Sequence, residues 1–164
     1  MSFANRASAK VFRDKLEIPV IQGGMGVGIS MGKLAGSVAA CGGMGVISTA
    51  LIGFREEDFY QNHVEADVRA LRKEIQIAKD IANGRGMIAI NAMTVTTDYR
   101  ECIEAAVREG IDAIISGAGL PLALPELVDG KDVLIAPIVS SAKAAALIMR
   151  SWNKKCERKP DFIV

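Results

Sequence analysis

Gln22, Gly23, Gly24, Met25 and Gly26 form a short stretch in which three of five positions carry no side chain. Glycine lets backbone N–H groups approach a phosphate or a flat ring with nothing intervening. A second glycine pair, Gly117 and Gly119, sits in the run SGAGLP. Asn91 lies inside the apolar run MIAINAM, and a buried amide left without partners costs about 1–3 kcal/mol. An Asn satisfied by neighbouring backbone is the plain alternative to one that meets a ligand. The sequence offers no pair of close carboxylates, no nucleophile–base pair and no metal-ligand cluster, so no catalytic group and no metal site can be named. These residue types suit holding a cofactor.

The elements that must position them alternate regularly. Ile18 to Ile21 reads as a strand, followed by the glycine turn, an amphipathic helix, a Cys41-Gly42-Gly43 break and a second strand at Val46 to Thr49. That is a βαβ unit with its glycines at the C-terminal end of its first strand, where ligands of parallel α/β proteins bind. A nicotinamide-binding fingerprint fits poorly. Counting G-x-G-x-x-G from Gly24 reaches Ile29, counting from Gly26 reaches Met31, and no carboxylate ends the second strand. Ser48 and Thr49 end it instead, either satisfying local backbone or touching a ligand.

Ile52 to Asn62 reads as an irregular connection. Val64, Val68, Leu71, Ile75, Ala78 and Ala82 then fall on one helical face, and Asn83-Gly84 stops that helix. Met87 to Met93 reads as a buried third strand. Asp98 and Glu101 form a capping box for a helix ending at Gly110. Ala113 to Ser116 is a fourth strand, Val133 to Val139 a fifth, and Phe162 to Val164 begins a sixth. Ser140 or Ser141 caps the helix between the last two, through about Asn153. His63, at a helix start and off the apolar stripe, reads as a surface residue. Cys41 reads as a small packed residue at a helix end.

Half of the 164 residues are hydrophobic and aromatics make up 5%, as expected of a parallel sheet buried on both faces. The length suits one domain spanning residues 1–164. Net charge is +1, from 20 basic and 19 acidic residues spread along the chain, which argues against nucleic acid or an anionic membrane as partner. Three cysteines without CxxC spacing read as reduced thiols. No apolar run reaches the roughly 18 residues of a bilayer span, and the first residues lack a signal-peptide core. A cytoplasmic protein acting on a small molecule is the expectation.

Regular alternation fits an open doubly wound sheet or a (β/α)8 barrel, and an ordinary barrel needs on the order of 250 residues. Family resemblance favours the barrel. PVIQGGMGVG followed by AACGGMGVIST resembles the start of the nitronate monooxygenase (2-nitropropane dioxygenase) family of FMN enzymes and of the related FMN-dependent enoyl-acyl carrier protein reductases. The likeness continues through INAM at Ile90 to Met93, ISGAGLPLALPELV at Ile114 to Val128 and APIVSSAKAA at Ala136 to Ala145. It implies a (β/α)8 TIM barrel of which this chain covers about the first six strands.

The resemblance implies FMN as cofactor, with Gln22, Gly23, Gly24, Met25, Asn91, Gly117 and Gly119 around it. It implies oxidation of alkyl nitronates with oxygen, or else NAD(P)H-dependent enoyl reduction. Some nitronate enzymes carry a Lys near the end of strand five, where this chain has Pro137, and Lys143 lies farther on at a solvated helix position. The family's catalytic His belongs to a Gly-Gly-His segment following the strand that begins at Asp161, beyond Val164. A reading of another class is a non-catalytic chain that works only by association, because an opened barrel leaves strand edges that invite pairing. Homo-oligomerisation or self-association is expected on either view.

Overall fold

A computed structural model describes residues 15–164. Four parallel strands form its sheet: β1 (Met44–Ser48), β2 (Met87–Met93), β3 (Ala113–Gly117) and β4 (Leu134–Pro137). Five described helices precede, connect or follow them: α1 (Gly32–Ala40), α2 (His63–Ala82), α3 (Tyr99–Arg108), α4 (Leu124–Leu127) and α5 (Ala142–Cys156). The strands neighbour one another in chain order, β1-β2-β3-β4. A doubly wound sheet reverses that order at a switch point, and none occurs among the described residues.

Two segments extend this order without becoming full strands. Ile21 forms an isolated parallel bridge with Met44, and Met44 donates its N–H to Val20 while Gln22 donates to Met44 (2.9 and 3.0 Å). At the other edge Val164 donates to Pro137 and accepts from Val139, at 3.1 and 2.8 Å. The expected first and sixth strands are therefore hydrogen-bonded edges. Among the described residues, each has a partner on one side only.

The two faces of the sheet differ. Ile47, Ile88, Ile90, Ala92, Ile114 and Ile135 point to the face on which α1 to α5 all pack, with Leu71, Ile75, Ile103, Ile148 and Trp152 among the buried helix residues. Met44, Val46, Met87, Ala89, Ala113, Ile115, Leu134 and Ala136 form a separate buried cluster on the opposite face, with Leu16, Ile138 and Phe162 against it. Alternation along each strand explains this split, since successive side chains point to opposite faces. The five helices α1 to α5 lie on one face, whereas a doubly wound sheet carries its helices on both.

Local signals set most boundaries. Asn83 adopts the left-handed conformation (φ 47°) and ends α2, with Gly84 following at φ 78°. Ser141 Oγ accepts the Ala144 N–H at 3.2 Å and starts α5. The capping box expected at Asp98 is absent: its side chain makes no capping bond to α3. It is buried instead and accepts a bond from the Cys102 thiol, one turn on in α3, at 3.1 Å. Cys41 does end α1, but it is exposed rather than packed.

Candidate functional site at the C-terminal edge of the sheet

Register places the expected residues in rows across the face opposite the helices. Ser48 pairs with Asn91, Asn91 with Ile115, and Ile115 with Ala136. Met93 pairs with Gly117 in the next row. The row below, Val46, Ala89, Ala113 and Leu134, is wholly apolar and buried. The sheet floor is therefore closed beneath the site. Polarity enters at the Ser48–Asn91 row, and only on its β1–β2 side.

The glycine turn reaches over that row. A Cβ built on Gly24 would lie 2.6 Å from Asn91 Cβ, closer than real side chains approach. One built on Gly26 would lie 2.8 Å from Ala50 Cβ. Gly23 faces open space, with nothing within 4 Å of such a Cβ. Two glycines are thus demanded by the neighbouring strand ends, and the third is left accessible. Met25 follows at 59% exposure.

Gln22 and Ser30 tie this turn down. Gln22 Oε1 accepts the Val46 N–H at 3.0 Å, and its Nε2 donates to Ser30 Oγ at 2.9 Å and to the Gly23 carbonyl. Fully buried Ser30 accepts the Met25 N–H at 2.8 Å and donates its hydroxyl to the Gly23 carbonyl at 3.1 Å. Its carbonyl takes the Ser48 N–H at 2.9 Å. Ser30 was not among the residues the sequence singled out. Its signal is a lone hydroxyl between the glycine turn and the first helix.

Asn91 is half-buried, and its side-chain amide has no hydrogen bond among the described residues. Its carbonyl, by contrast, accepts both the N–H and the hydroxyl of Thr49, at 3.0 and 3.2 Å. Ser48 Oγ accepts the Ala50 N–H at 3.4 Å. The hydroxyls of Ser48 and Thr49 serve local backbone, and the Asn91 amide does not. It keeps two donors and an acceptor for something else.

Gly117 and Gly119 close the other side. Gly117 lies against Ile138, whose Cβ would be 2.9 Å from an added Cβ. Thr94 donates its N–H to Gly117 and its hydroxyl to Ala118, both at 2.9 Å, and holds this turn to β2. Ala118 is left-handed at φ 53°, and Gly119 takes φ 139°. Pro137 ends β4, Lys143 is exposed on α5, and exposed His63 meets the Thr97 hydroxyl at 2.9 Å. Large apolar side chains stand exposed on the loops after successive strands: Met25, Val27, Leu51, Val95 and Leu120. No group of residues suited to a metal ion occurs among the described residues.

No family model and no curated protein matches this sequence. Solved structures do. FabK from Thermotoga maritima aligns at TM-score 0.66 and 22% identity, over 86% of this chain and 40% of that one. A nitroalkane oxidase from Streptomyces ansochromogenes aligns at TM-score 0.65 and 12% identity, over 84% of this chain and 45% of that one. The chain shares the fold of FabK and of nitroalkane oxidase. It spans less than half the length of either. Among the described residues, no helix is long and apolar enough to cross a membrane.

Proposed function

We propose that this chain forms the ring-binding part of an FMN-dependent oxidoreductase built on a (β/α)8 barrel, of which it supplies the first strands. The observation that carries the reading is the Asn91 amide, half-buried, unpartnered among the described residues and overhung by Gly24. A flat heterocycle with a hydrogen-bonding edge satisfies that amide. The residues present fit the group. Gly23 leaves room for close approach, Ser48 and Asn91 give one polar side to the row, and Ile115 and Ala136 give an apolar one. An isoalloxazine ring has the same division between a polar pyrimidine end and a hydrocarbon end.

FMN, when bound, supplies the redox chemistry. The chain's own residues would bind and orient it: the Asn91 amide would bond the ring edge, and the backbone at Gly23 and Gly24 would let the ring approach closely. Met25 and the apolar row members exclude water. Gln22 acts through Ser30, keeping the turn in place, and Gly117 and Gly119 shape the opposite wall. The reaction we assign is oxidation of alkyl nitronates with oxygen, on a small-molecule substrate in the cytoplasm. A second reading, NAD(P)H-dependent reduction of an enoyl thioester, is supported by the higher identity to FabK and by Pro137 at the position where some nitronate enzymes have Lys. The exposed apolar residues Ile18, Val20, Ile163 and Val164 on the two edges favour self-association of the chain.

The test is made on the whole protein. It purifies with FMN, and Asn91→Ala weakens FMN by about tenfold while leaving thermal stability nearly unchanged. Full flavin content in a folded Asn91→Ala variant would sink the assignment. Rapid flavin reduction by NAD(P)H selects the enoyl reductase reading, and oxygen uptake dependent on a nitronate selects the other.

A further inference from the structure

One arginine at the rim of the site has no carboxylate to answer it. Arg55 lies in the connection between β1 and α2, directly before Glu56, Glu57 and Asp58. Two of those acids are taken by Arg69 of α2, which pairs with Glu56 at 3.6 Å and with Asp58. Arg55 itself forms no ion pair and no side-chain hydrogen bond among the described residues. Its guanidinium stands over the Phe54 ring instead, 4.9 Å from the centroid. That contact leaves its five N–H donors without a protein acceptor.

Arg55 and Phe54 meet the glycine turn. A Cβ on Gly28, whose φ is 71°, would lie 2.8 Å from the Phe54 ring and 3.8 Å from Arg55 Nη2. Gly24, at the other end of the same turn, overhangs Asn91. Four residues span at most about 14 Å, and the Ser30 N–H, donating to the Met25 carbonyl at 2.9 Å, folds the turn back. Val27, Ile29 and Phe54 stand exposed around the arginine. The rim therefore offers hydrocarbon contacts that end in a fixed positive charge.

The connection that carries Arg55 is held on both sides. Before it, Asp67, buried on α2 at 1% exposure, accepts the Gly53 N–H at 2.6 Å. A Cβ on Gly53 would fall 2.5 Å from the Ala66 carbonyl carbon, so the backbone lies directly on the helix there. After it, Arg69 ties down Glu56 and Asp58. Presenting a donor on anchored backbone reduces the ordering cost of binding. A guanidinium also matches a carboxylate or phosphate with two parallel N–H bonds.

We propose that Arg55 is a specificity-determining residue that holds the oxyanion at the far end of an aliphatic substrate. The reacting end lies at the Asn91 row, and the hydrocarbon covers Val27, Ile29 and Phe54. A nitronate with a remote carboxylate and a thioester whose arm ends in a phosphate share this chemistry. The placing of the reacting end rests on the flavin reading; the oxyanion site does not.

The first test needs no flavin. Hexyl phosphate, hexanol and inorganic phosphate are titrated into the whole protein stripped of cofactor, following the Arg55 Nε–H resonance. Hexyl phosphate shifts that resonance and binds about tenfold tighter than hexanol or phosphate alone. Arg55→Ala abolishes the preference over hexanol, while Arg150→Ala, on the exposed surface of α5, retains it. Equal affinity for hexyl phosphate and hexanol, or a preference that survives Arg55→Ala, overturns the proposal. Inorganic phosphate binding as tightly as hexyl phosphate overturns its aliphatic part.

The second test uses the flavin-loaded protein and distinguishes the two sources. Arg55→Ala raises KM about tenfold for the substrate that carries the oxyanion and leaves kcat nearly unchanged. Turnover of a nitronate with a remote carboxylate identifies one source, and turnover of a phosphopantetheine thioester identifies the other. An equal rise in KM for the same substrate lacking its remote oxyanion overturns the role. A protein that binds no FMN refutes the flavin reading and leaves the hexyl phosphate titration to judge Arg55.

Discussion

Gly24 and Asn91 belong to different elements and touch so closely that the strand residue's own Cβ forbids a side chain on the turn, at 2.6 Å. Gly24→Ala should therefore destabilise the fold by about 1–3 kcal/mol, the usual cost of overpacking. Asn91→Ala keeps its Cβ, so it should give no relief. Urea denaturation of the single and double variants measures this; a double variant as stable as Asn91→Ala alone would show that the turn moves aside freely.

Gly23 should behave in the opposite way. With nothing within 4 Å of an added Cβ, Gly23→Ala should leave stability within about 0.5 kcal/mol of wild type. Its methyl group projects into the space assigned to the ring, so flavin affinity should drop sharply. Paired unfolding and flavin titrations separate the two effects, and undiminished affinity would place the ring elsewhere.

Ser30→Ala removes the hydroxyl that receives Gln22 and the Met25 N–H at 2.9 and 2.8 Å. Taking the acceptor from the Met25 N–H, and one of two acceptors from the Gln22 amide, should cost about 1 kcal/mol. The loss should be accompanied by faster proteolysis between residues 23 and 29. A variant with wild-type midpoint and digestion pattern would show that water replaces the hydroxyl without penalty.

Asp67 gives stability a pH dependence of known sign. Its folded-state value, about 6, lies above the ordinary 3.8, so the native state holds the proton more tightly than the unfolded chain. The resulting stabilisation is complete below the ordinary value and is lost as pH rises through about 6, an effect on the order of 3 kcal/mol. Unfolding free energies measured from about pH 4 to pH 8 should show this decline in the wild type and not in Asp67→Asn.

The parts of the fold governed by local chemistry were readable in the residues. Asn83-Gly84 ends α2 because those two types tolerate left-handed backbone, and Ser141 caps α5 through its own hydroxyl. MIAINAM coincides with β2 because it pairs on both sides. Ile18 to Ile21 is also apolar, but among the described residues it has a neighbour only at β1 and Pro19 lacks an N–H to pair, so its pairing stays fragmentary. Asp98 reads as a cap from its spacing to Glu101, and only tertiary packing beside Asp67 draws it inward. Asn91 was detectable as polarity within an apolar strand. Asp67 was detectable by the same logic, a carboxylate four residues before Leu71 on the apolar stripe, yet a charge on a charged helix attracts no notice.

The in-order arrangement of strands has a consequence for how the polypeptide emerges from the ribosome. Each strand from β2 onward hydrogen-bonds the one made just before it. By the time Met93 has been synthesised, β1 and β2 and the two helices that pack beside them are all available, and every later unit docks on a finished edge. Contacts between consecutive units keep loop closure short, which favours stepwise growth from the N-terminus. Nascent chains should accordingly acquire protease resistance in increments, one strand–helix unit at a time.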